Sequence, residues 1–142
     1  MAFKYLPDVA IADIAVEITS KDLNGLFVEA GKAICDLQVN PKDVKLVKQK
    51  RIKLTNTAID KLFFDWIAEL IYLKDAEHLL LKEFTVVVKE TKDGYRLDAT
   101  AKGAKINYKT MKLRNDLKAI TYHMFEVKQE KKGWKAMVVV DI

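Results

Sequence analysis

The chain has 142 residues, 50% hydrophobic and 32% charged, with only 5 glycines and 2 prolines. That balance supplies apolar surface for one core and excludes a disordered, collagen-like or low-complexity chain. Cys35 stands alone, which excludes an internal disulfide and a multi-cysteine zinc site, and no apolar run approaches the roughly 20 residues of a membrane span. Asp8 and Asp13 make the amino-terminal stretch a poor signal peptide. The expectation is a single domain over residues 1–142, cytoplasmic and without a membrane partner.

The net charge is +5, from 25 Lys and Arg against 20 Asp and Glu. Two segments concentrate the excess. Lys42, Lys45, Lys48, Lys50, Arg51 and Lys53 face one acid, Asp43, while Lys102, Lys105, Lys109, Lys112, Arg114 and Lys118 face Asp116. Each segment reads either as a solvated basic face or as a surface for phosphate.

Residues 9–19 place Ala10, Ala12, Ile14, Val16 and Ile18 at every second position, which predicts a strand. Its other face carries Val9, Ile11, Asp13, Ala15 and Glu17, so its start reads as buried on both sides. Asp22 is a helix N-cap candidate, and Leu23, Leu26, Phe27, Ala30, Ala33, Ile34 and Leu37 follow at spacings of three and four. Asn24, Glu29, Lys32 and Asp36 then form the outer side, and Asn40-Pro41 stops the helix. Residues 44–55 alternate again, and their lysine-rich middle predicts an edge strand or an exposed side. Thr57 with Asp60 reads as a capping pair before a second helix, with Ile59, Leu62, Phe63, Trp66, Ile67, Leu70 and Leu73 inward. Strands over 79–90 and 95–103 flank Asp93-Gly94, a hairpin signal. After a basic connection over 104–116, strands over 117–128 and 134–141 form a last hairpin. The predicted fold class is α+β: two layers, a mostly antiparallel six-stranded sheet with two helices packed on one face.

Enzyme signatures are sparse. The glycines form no phosphate loop, Ser20 is the only serine, and His78 and His123 make no helical metal pair. Cys35, beside Ile34 and Leu37, reads as a small core hydrophobe. Asp13 and Asp141 are unusual because each interrupts an apolar strand. A buried carboxylate needs a partner, a proton or a cation. Each therefore accepts backbone amides or pairs with a lysine, or the two join the Ile142 carboxylate around a hard cation such as calcium or magnesium. In residues 117–126, alternation puts Lys118, Tyr122 and Glu126 on one face and Ala119, Thr121, His123 and Phe125 on the other. His123 then reads as structural and Lys118 as available to a partner.

These segments resemble the archease family. Its opening (Asp/His)-x-x-Ala-Asp-(Ile/Val) motif and the Leu-Phe-containing helix behind it correspond to Val9-Ala10-Ile11-Ala12-Asp13-Ile14 and to residues 22–30. Its Trp-x-x-Glu-Leu segment matches Trp66-Ile67-Ala68-Glu69-Leu70, its Lys-Ala-(Val/Ile)-Thr-Tyr-His motif matches residues 118–123, and its terminal Asp-(Ile/Val) matches Asp141-Ile142. The common Asp-His-Thr-Ala-Asp form is altered: Asp8 is displaced by one position and the His is missing, while Asp13 is kept. The resemblance implies a non-catalytic accessory protein that activates the tRNA-splicing RNA ligase by promoting its guanylylation. It also implies calcium at Asp13, Asp141 and Ile142. Lys118 and Tyr122 are the candidate partner-binding residues, and indirect contact with tRNA or RNA falls to the basic segments. The alternatives are a basic RNA-binding chaperone and a metal-dependent hydrolase centred on Asp13 and Asp141.

Overall fold

The computed structural model describes residues 2–6 and 13–142. The expected strand positions 9–12, and Asp8, lie outside the described residues. Seven strands and two long helices follow in the order β1 (Ala2–Leu6), β2 (Asp13–Ser20), α1 (Leu23–Gln38), β3 (Lys48–Asn56), α2 (Ile59–Glu77), β4 (Leu79–Thr91), β5 (Gly94–Lys105), β6 (Ala119–Glu130) and β7 (Gly133–Asp141). A 3₁₀ turn over Pro41–Asp43 follows the end of α1.

The α+β class and the antiparallel pairing hold, but the single six-stranded sheet does not. The strands form two sheets, one ordered β1-β2-β7-β6 and the other β3-β5-β4. Both helices touch strands of both sheets, so they lie between the sheets rather than on one face. The reason is visible on α1. Eleven of its sixteen residues are buried, including Gly25, Gly31, Cys35 and Glu29, the last of which the heptad-like pattern places outside. A helix buried nearly all round needs cover on two sides. Gly31 marks how close that cover comes, since a Cβ there would sit 2.8 Å from the Phe84 ring of β4. The strand β1, which sequence alternation misses, pairs with β2 from Ala2↔Thr19 to Leu6↔Ala15 and extends the first sheet.

Local signals explain the element boundaries. The Asp22 side chain accepts from the Gly25 N–H at 2.7 Å, the expected N-cap. At α2 the expectation fails: the cap position falls on Ala58, which has no side-chain acceptor, and the Thr57 hydroxyl one residue earlier turns to Asn56 Oδ1 at 3.4 Å. The first hairpin turns at Lys92-Asp93, with Gly94 at φ 149°, a conformation that suits glycine. β3 is an edge strand, as its lysines predict. Cys35 is buried in a small second cluster with Val39, Val44, Leu80 and Ala104. Burial first, and the Asp36 charge second, push its thiol up to about 11, so it behaves as a hydrophobe rather than a nucleophile. No helix among the described residues is long and apolar enough to cross a membrane.

The chain passes from one sheet to the other through residues 106–118, and a buried lysine ties that segment down. Lys74 on α2 donates to the Leu117 carbonyl at 2.7 Å and to Asp116 at 2.6 Å, and it pairs with Asp75. Burial pulls its ammonium down, but the hydrogen bonds to Asp116 and Asp75 outweigh this and hold it above its ordinary value. Lys74→Met should cost about 1–3 kcal/mol in urea unfolding, because the Leu117 carbonyl loses its side-chain donor in a buried place. Asp116→Ala should cost less than about 1 kcal/mol, since that carboxylate is exposed. Equal losses in the two variants would show that the exposed ion pair, not the buried carbonyl contact, holds the segment.

Candidate functional site

The embedded carboxylates meet. β2 and β7 run antiparallel with Asp13 directly opposite Asp141, and β6 enters the same row with Ala119 opposite Asp141. Three strand ends therefore converge, and the Lys118 N–H donates to the Asp141 carbonyl at 2.8 Å. Ile142, half-buried against the main core, sits next to the pair.

Two like charges facing each other across an antiparallel pair repel. That repulsion shows in the Asp13 carboxyl, which a hydrogen bond with Asp141 holds above its ordinary range, with desolvation and the Asp141 charge acting in the same direction. His123 acts in the opposite direction, as a positive neighbour favouring ionisation. Neither carboxylate is fully buried, which corrects the expectation of a strand buried on both sides at this point. Across the ladder Asp13 faces a second acid, Asp141, and not a lysine.

Two facing carboxylates are a donor set that suits a hard divalent cation. Among the described residues no group of three or more His, Cys, Asp and Glu side chains gathers at one point. A cation here would therefore rest on Asp13, Asp141, oxygen from Ile142, and water. That set fits calcium, whose coordination shell accepts waters and loose geometry.

The segment after Lys118 departs most from expectation. Thr121 pairs with Val139 and Glu126 with Met137, so residues 122–125 bulge against a single position of β7. Met124 adopts φ 53°, and the side-chain alternation that puts His123 in the core is broken. His123 is exposed, on the side of the carboxylates, and this overturns its structural role. No periodicity could have revealed it, because the bulge is invisible to an alternating pattern. Tyr122 is 73% exposed and stacks on Phe64 of α2, with centroids 4.1 Å apart and planes 4° from parallel. Phe125 meets the same ring edge-on. Lys118 is exposed, as expected, and lies in the same row of strand ends as Asp141. The structure thus sets Asp13 against Asp141, with Ile142 and the Lys118 backbone at the same strand ends, His123 acting on Asp13 as a charge, and Tyr122 presented from the adjoining bulge.

A cavity of about 450 Å³ lies elsewhere, at the C-terminal ends of both helices, lined by Gln38, Lys74, His78, Tyr108, Arg114 and Asp116 among others. Its lysine is already committed to Asp116 and Leu117, and it shares no residue with the carboxylate pair.

Residues 3–142 match the Archease protein family. The chain belongs to the archease family. Among its relatives, the protein archease of Methanosarcina barkeri is 30% identical over 141 residues, covering 99% of this chain and 95% of the relative. The solution structure of Methanobacterium thermoautotrophicum protein 1598 superimposes with a TM-score of 0.85 at 30% identity, covering 99% of this chain and 98% of that one. A Thermotoga maritima crystal structure described as an archease, possible chaperone, gives a TM-score of 0.66 over 96% of each chain. At 22% identity that likeness bears on the fold alone. In this archease the exposed position of His123 carries its own prediction. His123→Ala should leave unfolding free energy within about 0.5 kcal/mol of wild type. It should also move the Asp13 titration further upward in a carbon-detected NMR titration, because a positive neighbour is gone. A large loss of stability with an unmoved Asp13 would return His123 to a packing role.

Proposed function

We propose that this archease activates a tRNA-splicing RNA ligase by promoting its guanylylation, with calcium held by Asp13, Asp141 and Ile142, and without catalysing a reaction itself. The observation that carries the metal reading is the register Asp13↔Asp141, which sets two carboxyls against each other at the meeting point of three strands. Membership of the archease family supports the ligase as partner. When bound, calcium would neutralise the pair and order the strand ends that display Lys118 and the Tyr122 bulge.

An accessory protein accelerates another protein's chemistry only by binding one of its conformations better than another. Tyr122 is suited to such contact: it is exposed, backed by Phe64, and therefore loses little freedom on docking. Lys118 supplies an exposed positive charge four residues earlier, at the strand ends. The test follows guanylylation of the cognate ligase with GTP, using substoichiometric calcium-loaded archease and an indicator dye for free calcium. Many ligase molecules should be guanylylated per archease while calcium stays bound, and Lys118→Ala and Tyr122→Ala should reduce the stimulation. Release of one calcium per guanylylation would replace ordering by metal delivery, and absence of stimulation would overturn the ligase reading.

A further inference from the structure

The β3-β5-β4 sheet buries one face against the helices through Ile52, Leu97, Ala99, Ala101, Phe84 and Val86. No described element covers its other face. The antiparallel register defines that outer face row by row. Arg51 lies opposite Thr100, which lies opposite Thr85; Lys53 lies opposite Asp98 and Val87; Lys102 lies between Gln49 and Glu83; Arg96 lies between Thr55 and Lys89. Two sequence segments far apart in the chain thus pool their charges on one plane. Arg51, Lys53, Lys89, Arg96 and Lys102 stand there against Asp98 and Glu83, and all five cations are exposed. Asp98 is taken by Arg96 at 3.0 Å. Among the described residues, Arg51, Lys53, Lys89 and Lys102 enter no ion pair. A shallow groove of about 160 Å³ runs over Arg51, Lys53, Thr85 and Thr100.

We propose that this outer face binds the sugar–phosphate backbone of RNA, independently of base sequence. Cations on adjacent strands, interleaved with threonine hydroxyls, make a flat array of phosphate donors. The described outer-face positions carry no aromatic side chain, so bases have no platform to stack on and contact is restricted to the backbone. A lipid surface is disfavoured because Val87 is the one apolar side chain among those rows. The choice of RNA as the polyanion rests on the ligase reading. The face itself is formed by β3, β4 and β5, whereas the carboxylate pair is formed by β2 and β7, so one archease can hold RNA and present the metal end to a partner.

The experiment measures fluorescence anisotropy of an unstructured 20-nucleotide RNA with the full chain across a salt series. With four unpaired cations, log K should fall against log salt with a slope of about −3, near −0.7 for each phosphate neutralised. The triple variant Arg51→Gln, Lys53→Gln, Lys102→Gln should flatten the slope by about 2, while Lys109→Gln with Lys112→Gln leaves it unchanged; circular dichroism verifies that each variant is folded. Guanylylation of the ligase, assayed with GTP and no RNA, should be unchanged in the triple variant, so the two readings fail separately. A flat slope in wild type, an unchanged slope in the triple variant, or tighter binding to phosphatidylserine vesicles than to RNA at equal salt would overturn the proposal.

Discussion

Calorimetric titration of Asp13→Ala and Asp141→Ala should show no tight calcium binding, whereas wild type binds one ion with preference over magnesium. Each variant removes one of two carboxylates at a point where the described residues offer no third acidic side chain, so water and Ile142 alone cannot replace it. The metal-free protein should also show a characteristic pH dependence. The folded state raises the Asp13 affinity for a proton above the ordinary aspartate value of 3.8. Folding therefore binds protons more readily than the unfolded chain does, and this contribution to stability is complete below about that value. It is lost as pH rises through the elevated folded titration. On the calcium reading the ion would neutralise the pair in place of protonation, so the gap between calcium-loaded and calcium-free stability should widen from pH 4 to 8. At a hundredfold excess over Kd the gap should reach about 2.7 kcal/mol. Thermal melts with and without calcium measure it. Retained tight binding in both alanine variants would remove Asp13 and Asp141 from the site.

Trp66→Ala should cause the largest loss of stability of any single truncation, about 3–5 kcal/mol. Trp66 is 0% exposed, contacts Phe84 edge-on, and donates its indole N–H to the Phe27 carbonyl at 2.9 Å. It therefore fills the space between the sheets and bolts α2 to α1 at once. A loss of that size takes a large share of the roughly 5–15 kcal/mol that holds a domain folded. Trp66→Phe keeps most of the volume and should lose distinctly less, chiefly the hydrogen bond. Urea unfolding of both variants separates cavity from hydrogen bond. A loss below about 1 kcal/mol for Trp66→Ala would show that the core collapses around the missing ring.

What the sequence by itself determined is what neighbouring residues decide among themselves. The Asp22 cap, the apolar stripes of both helices, the Asp93-Gly94 turn and the edge character of the lysine-rich strand all depend on residues a few positions apart. The same local reading singled out Asp13 and Asp141, because a carboxylate inside an apolar strand is costly wherever it falls. Only the tertiary structure decided that these two acids face each other, since strand register between opposite ends of the chain is set by packing and not by either segment. It alone divided the strands into two sheets, because α1 is too widely apolar to be covered from one side. It alone turned His123 outward, through a bulge whose Tyr122 and Phe125 pack on Phe64. Alternation encodes a face for each side chain only as long as the ladder is regular, and a four-against-one bulge erases that code at the residues that approach the carboxylates.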